Sequence, residues 1–173
     1  MIELIGAFFI SILGTFLHFT YDLSNHNKYV SLFSAVNESV WEHLKLLVFP
    51  SFLWTLIEIP FLYKNHNFLF AKCVSLIIMT LIIIIFSTII KKVFEKNILF
   101  LDIVFFYIAI FLGQFISFKI LSLSPVSTFI NYICLLILIF IYGYFLIATF
   151  IPGKSKIYID PNTKKSGFKG HRK

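Results

Sequence analysis

Charged side chains are scarce in this sequence: they make up 13% of its 173 residues, against about 25% in an average soluble domain. Apolar residues make up 59%, compared with about 45–50% in soluble domains. A soluble fold of this length has too little interior to bury so much apolar surface. The composition therefore excludes a soluble globular protein and favours one helical bundle in a membrane.

Cysteines are few, and the signals of a cleaved leader are lacking. Cys73 and Cys134 both lie within apolar runs, which is typical of small buried side chains and argues against a disulfide framework or a Cys-x-x-Cys metal site. The acidic Glu3 stands where a secretory signal peptide is positively charged, and no small-residue cleavage pattern follows it. We expect the first hydrophobic segment to be retained.

Five apolar stretches are long enough to cross a hydrocarbon core of about 30 Å, which takes roughly 20 helical residues. Because unpaired backbone polar groups are costly in lipid, these stretches are predicted to be helical. The sequence thus predicts an all-α integral membrane protein with five transmembrane helices, at residues 4–21, 44–63, 73–90, 98–121 and 129–151.

A shorter helix is predicted between the first two spans. Tyr29, Leu32, Phe33 and Val36 recur at helical spacing. This pattern favours a short interfacial helix that lies along the membrane surface with its apolar face in lipid.

Basic residues indicate the orientation, because cytoplasmic loops carry an excess of Lys and Arg. The loops after the first and third spans, together with the C-terminal segment, hold twelve basic residues, whereas the segments on the opposite side hold three. This asymmetry predicts a multi-pass protein of the cell membrane with its N-terminus outside and its C-terminus in the cytoplasm.

The chain is predicted to divide into a transmembrane bundle at residues 1–152 and a basic cytoplasmic tail at residues 153–173. The tail holds seven basic residues and one acid, Asp160. It has no apolar periodicity, so we expect it to be extended with a turn at residues 160–162. Its charge suits binding to anionic lipid, whereas nucleic-acid binding is not expected because no folded basic face accompanies the charge. Beyond the bilayer, the sequence identifies no protein partner.

The candidate functional residues are ionisable side chains within or beside the spans, because such residues are costly in lipid. On the first helix, Ser11, Thr15, His18 and Asp22 follow at helical spacing and form one stripe facing other helices. The head of the second helix enters the membrane on the same side, and Asp102 is placed to join it. We therefore expect one polar cluster of His18, Asp22, Asn37, Glu38, Glu42 and His43.

Two chemical interpretations of this cluster are open. His18, His43 and Glu42 could bind zinc or another divalent metal and leave one position for water. Because histidine titrates near neutral pH and carboxylates can share protons, the same residues could instead form a proton relay. The sequence contains no further cofactor motif.

A structural interpretation is open as well. Asn37 or Ser39 can cap the second helix, Ser39 and Glu42 have the spacing of a capping box, and Lys45 can pair with Glu42. The cluster would then stabilise the helix end without binding anything.

Polar residues also lie toward the opposite ends of the helices. Glu58, Gln114 and Asn131 sit at comparable depths and could line the second polar end of a pathway. The interpretation that we favour pairs Glu58 with Lys64 or Lys72 and makes the other two side chains hydrogen-bond partners between helices.

Two segments resemble a known family. Residues 17–22 and 32–46, followed by Pro50, are similar to a bacterial membrane family catalogued as domain of unknown function 6512, and the likeness extends over most of the chain. In that family the second helix opens with an Asn-Glu-Ser-x-Trp-Glu-His-x-Lys signature, found here at residues 37–45, and an Asp-Pro element near the C-terminus is matched by Asp160 and Pro161. Residues 164–168 depart from the Tyr-Gly ending of the family. The resemblance implies a small multi-span membrane protein and no defined activity.

A second likeness is to the membrane hydrolases of the haemolysin III and progestin-receptor type. Their early helix carries a Glu-x-x-Asn-x-x-x-His motif, which residues 37–44 resemble out of register. Those proteins need a His-x-x-x-His pair on the last helix, and the fifth apolar stretch here contains no histidine. That absence argues against the assignment.

Three functions follow as hypotheses. The first is small-molecule or ion binding or transport, with the cluster and the opposite polar residues flanking a narrow route. The second is a metal-dependent membrane hydrolase or lipid-modifying enzyme. The third is a structural or partner-binding subunit of a membrane complex.

Overall fold

The computed structural model describes residues 1–95 and 98–170 and shows an all-helical protein. All five helices are long and apolar enough to cross a membrane, which confirms the five predicted spans. They are α1 (Ile2–Leu23), α2 (Val40–Leu62), α3 (Phe68–Phe94), α4 (Leu99–Leu121) and α5 (Thr128–Ala148). The basic residues Lys96, Arg172 and Lys173, used above to predict the orientation, lie outside the described residues.

Local signals set several of the helix ends. The side chain of Ser39 accepts a hydrogen bond from the Glu42 amide and caps α2, as predicted, and Ser127 caps α5 in the same way. Asn25 and His26 follow α1 with positive φ angles of 54° and 62°, and Glu95 ends α3 at 56°. Left-handed residues of this kind stop a helix, because they turn the chain away from its axis.

The helices form one bundle in which α2 is the most enclosed. α3 packs along α4, α1 packs on α2 and α4, and α2 and α5 cover the other side of α3. A Cβ atom added to Gly14 would overlap the backbone carbonyl of Leu46, so the backbones of α1 and α2 are in close contact there. Small residues permit such close approach between helices in a membrane. This contact sets the ends of α1 and α2 side by side.

The segment between α1 and α2 is less helical than predicted. Only one 3₁₀ turn forms, at Val30–Leu32, and Val36 is buried while Tyr29 is exposed. The segment packs onto the bundle through its polar groups, since Ser31 and Ser34 are fully buried and hydrogen-bonded. These bonds hold the inner side of the loop to protein, so its apolar residues do not form one lipid-facing stripe.

Residues 153–170 are folded onto the end of the bundle. They contain two short 3₁₀ turns, Lys156–Tyr158 and Gly167–Gly170, and one isolated bridge between Ile159 and Ser166. The turn predicted after Asp160 is present, with the Asn162 amide donating to the Asp160 carboxylate over 2.7 Å. The expected extended form is not seen, because Tyr158 is buried against Trp41 with ring centroids 4.6 Å apart.

Candidate metal centre at the histidine-bearing end

The end of the bundle where α1 stops and α2 begins carries His18 and His43, and we call it the histidine-bearing end. Ser34 ties the loop after α1 to the last turns of that helix beside His18. Its hydroxyl donates to the Leu17 carbonyl over 2.5 Å and accepts from the Tyr21 amide over 3.0 Å. The loop is thus held against the end of α1 by a side chain that bonds two backbone groups.

The second imidazole is held by its own helix. His43 Nδ1 lies 3.0 Å from the carbonyl oxygen of Ser39. A carbonyl only accepts, so Nδ1 is the donor in this contact. The other ring nitrogen, Nε2, faces Glu38, 3.5 Å from Oε2. The N-cap turn thus orients the ring.

His18, Glu38 and His43 form a compact set. The two imidazole centroids are 5.2 Å apart, with the rings inclined by 37°. One potential ligand atom from each of the three residues lies within 4.8 Å of the other two. Among the described residues, Nδ1 of His18 is buried without a hydrogen-bond partner. We refer to these three residues as the histidine–glutamate set.

The histidine–glutamate set remains accessible. The side chains of His43 and Glu38 are 30% and 50% exposed, so water or a ligand can reach them. Asp102 on α4 interacts electrostatically with His43 and Glu38, and with Lys91 at the end of α3. This position agrees with the prediction that Asp102 lies at the histidine-bearing end.

Glu42, which the sequence suggested as the metal-binding carboxylate, is held elsewhere. It forms an ion pair with Lys45, and its Oε2 accepts the Val36 amide over 3.1 Å. Lys45 Nζ also donates to the Ser31 carbonyl over 2.8 Å and to Thr149 Oγ1 over 3.2 Å. The structure therefore places Glu38, and not Glu42, beside the two histidines.

The remaining two predicted residues lie outside the histidine–glutamate set. Asn37 Oδ1 accepts the Ser39 amide over 2.9 Å, and Asn37 Nδ2 donates to the Gly167 carbonyl over 2.9 Å. Asp22 pairs with His26 at 3.2 Å on the exposed surface. Three of the six predicted residues thus come together, Glu42 belongs to a buried ion pair, Asn37 bonds the C-terminal segment, and Asp22 pairs with its neighbour His26.

The opposite end of the bundle, where α1 begins, contains a second cluster of ionisable side chains. Lys72 on α3 lies 2.8 and 3.0 Å from the two Glu3 oxygens and 2.5 Å from Glu58 Oε2. The predicted pairing of Glu58 with Lys72 is confirmed. Glu3 was missed as a partner, although its position four residues before Ala7 and eight before Ser11 continues the polar stripe of α1.

The other two polar residues of this end differ from each other. Asn131 bridges α5 to the start of α3, since its side chain bonds the His66 carbonyl over 2.6 Å and the Phe70 amide over 3.3 Å. This confirms its predicted role between helices. Gln114 is buried, but its Oε1 has no hydrogen-bond partner among the described residues.

Comparison with known proteins gives one match. Residues 2–168 match the family described as "Family of unknown function (DUF6512)". No curated protein and no solved structure matches the chain. The match covers nearly all of the five helices and the folded C-terminal segment, as the signature at the head of α2 predicted. The chain therefore belongs to the family of unknown function DUF6512.

Proposed function

We propose that this multi-pass membrane protein binds a divalent transition-metal ion of the zinc class through His18, Glu38 and His43. The observation that carries the proposal is the placement of two imidazoles and one carboxylate with their ligand atoms within 4.8 Å of one another. Two histidines and a glutamate are a common ligand set for zinc sites that keep an open fourth position.

The surroundings of the set support metal binding. A metal-binding histidine usually donates its other N–H to a carbonyl or carboxylate, which orients the ring. The contact between His43 Nδ1 and the Ser39 carbonyl meets that requirement. Zinc–ligand bonds of about 2.0–2.1 Å would bring the three ligand atoms to roughly 3.4 Å from one another. The exposed Glu38 side chain has the freedom to make this adjustment.

A second candidate function is metal-dependent hydrolysis or lipid modification. Asp102 on α4 favours it, because its carboxylate interacts electrostatically with His43 and Glu38 without belonging to the ligand set. A carboxylate beside a metal-bound water can act as a general base. The site lies at a helix end, where lipid headgroups and water meet. A lipid ester or phosphate would thus be the substrate class.

Metal binding is tested on protein purified in detergent, stripped with a chelator and titrated with Zn²⁺. We expect one bound zinc per chain in the wild type and none in the His18→Ala, His43→Ala double variant. The matched control is the His26→Ala, His66→Ala double variant, which removes two exposed histidines outside the set. It should bind zinc like the wild type.

Two results would overturn the proposal. One is a wild type that remains metal-free at saturating Zn²⁺. The other is equal zinc binding by the His18→Ala, His43→Ala variant and the wild type, with both eluting as folded protein. If zinc binds, Asp102→Asn separates the two candidate functions, since it should retain zinc and lose any hydrolysis of lipid esters.

For orientation, we propose that the histidine-bearing end faces the cytoplasm. Support comes from the excess of basic residues in the segments at this end. Single cysteines at Ser155 and Ser124, in a variant with Cys73 and Cys134 replaced, provide the test, because both serines are exposed and lie at opposite ends. A membrane-impermeant thiol reagent should label Ser124→Cys in intact cells and Ser155→Cys only after permeabilisation. The reverse pattern would refute the orientation.

A further inference from the structure

At the end of the bundle where α1 begins, three ionisable side chains are sealed from water. Glu3, Glu58 and Lys72 are 3%, 0% and 3% exposed. They come from α1, α2 and α3, and Lys72 Nζ stands between the two carboxylates. We call them the buried carboxylate–lysine triad.

The triad is not balanced in charge. With both glutamates ionised it carries two negative charges against one positive charge, and Lys72 is the one cation within ion-pair distance of either carboxylate among the described residues. An uncompensated charge in a membrane interior costs several kcal/mol. A protein therefore neutralises the excess, and the simplest means is a bound proton.

The hydrogen bonds indicate which of the two glutamates carries that proton. Both Glu3 oxygens accept bonds from Lys72. Glu58 lies at ion-pair distance from Lys72, but its Oε1 is buried without a hydrogen-bond partner among the described residues. Burying an oxygen without a partner costs less in a neutral carboxyl group than in a charged carboxylate. Glu58 is thus the better place for the proton.

One member of the triad borders a cavity. The cavity measures about 410 Å³ and is lined by Glu3 on α1 and by Gln114 and Phe115 on α4. It lies between the two helices and reaches the exposed Met1. The uncharged Gln114 is the polar group that α4 contributes, so α4 brings no second cation to Glu3.

We propose that Glu3, Lys72 and Glu58 form a proton-binding site that holds one exchangeable proton. The site is independent of the metal centre, because it uses other residues at the other end of the bundle. The proton would be a second ligand of the protein, beside the proposed metal ion. The triad that binds it joins α1, α2 and α3. Loading or release of the proton changes the charge between α1, α2 and α3.

Infrared difference spectroscopy of the protein in lipid vesicles provides the test. Between about pH 5 and pH 8, the wild type should show the carbonyl band of a protonated carboxyl group, displaced in heavy water. The band should shift when glutamate is isotope-labelled and stay in place when aspartate is labelled. In Glu58→Gln the remaining pair of Glu3 and Lys72 is balanced, so the band should disappear.

The matched control is Glu42→Gln, which removes a buried glutamate from a pair that is balanced one to one by Lys45. This variant should keep the band. Glu3→Gln is the second variant and should also lose it, so the test does not depend on the folding of Glu58→Gln alone. No protonated glutamate band in the wild type, or an unchanged band in both Glu3→Gln and Glu58→Gln, would overturn the proposal. So would a band that appears only when sodium is removed, since a metal cation would then occupy the site.

Discussion

Glu42 and Lys45 form an ion pair within α2 in which the two side chains are 1% and 0% exposed. Glu42 directly precedes His43 in the sequence, and Lys45 reaches to the loop at Ser31 and to Thr149 at the end of α5. A lysine in this position is neutralised and fully hydrogen-bonded, so it joins three parts of the chain. The Glu42–Lys45 ion pair shares no residue with the histidine–glutamate set, so the two can be altered separately.

Two isosteric substitutions distinguish the roles of neighbouring glutamates. We expect Glu38→Gln to weaken zinc binding by at least about tenfold and to leave the free energy of unfolding nearly unchanged, because Glu38 is half exposed. Glu42→Gln should retain zinc affinity and lower the free energy of unfolding by about 3–5 kcal/mol, because Lys45 is left buried and unpaired. Calorimetric titration and denaturant unfolding measure the two effects. Weaker zinc binding in Glu42→Gln and unchanged zinc binding in Glu38→Gln would instead identify Glu42 as the metal-binding residue.

The close contact between α1 and α2 at Gly14 predicts that one added methyl group lowers the stability of the bundle. Gly14→Ala should destabilise the bundle by about 1–3 kcal/mol, because the new Cβ overlaps the Leu46 carbonyl. It should also weaken zinc binding, since His18 lies one turn farther along α1. Gly143→Ala is the control, because a Cβ there meets nothing within 4 Å. Equal melting temperatures for the two variants would contradict the close contact.

Tyr158 predicts a loss of stability at high pH. Burial, with a contribution from the Tyr144 hydroxyl, raises the pKa of the Tyr158 phenol above its usual value of about 10. Its stabilising contribution is therefore complete below about pH 10 and is lost as the pH rises through the folded-state pKa. From about pH 8 to about pH 11, the melting temperature should fall less in Tyr158→Phe than in the wild type. Tyr29→Phe, at an exposed position, should behave like the wild type, and identical slopes in all three proteins would refute this role.

The folded C-terminal segment predicts binding of anionic lipid. Four of its lysines are exposed, and each should contribute roughly 1 kcal/mol at a negatively charged membrane surface. Changing all four to Gln should abolish the thermal stabilisation that anionic lipid gives to the detergent-solubilised protein. The control is Lys64→Gln, Lys119→Gln at the other end of the bundle, and equal loss in both variants would argue against a local site. The four lysines are Lys154, Lys156, Lys164 and Lys165.

Much of the fold could be predicted because its strongest signals are local. Continuous apolar runs defined the five helices, and the Ser39 cap marked where α2 begins. The order of the spans also placed His18 and His43 at one end. These features need no knowledge of which helices are neighbours.

The carboxylate of the proposed metal site could not be predicted in the same way. Helical periodicity gave Glu42 and His43 a common helix, whereas Glu38 precedes the cap and does not follow that periodicity. Its side chain returns to His43 because the N-cap turn bends the chain, which is a feature of backbone geometry. The pairing of Glu3 with Lys72 and the contact of Tyr158 with Trp41 depend on long-range packing and carry no local signal.

The bond between Asn37 and the Gly167 carbonyl joins residues that are 130 positions apart. Ribosomes deliver the chain from the N-terminus, so all five helices can enter the bilayer before Gly167 emerges. Until Tyr158 follows, the head of α2 lacks the cover that this ring gives to Trp41. A chain truncated before residue 158 would thus leave Trp41 uncovered and the Asn37 side-chain amide without the Gly167 carbonyl.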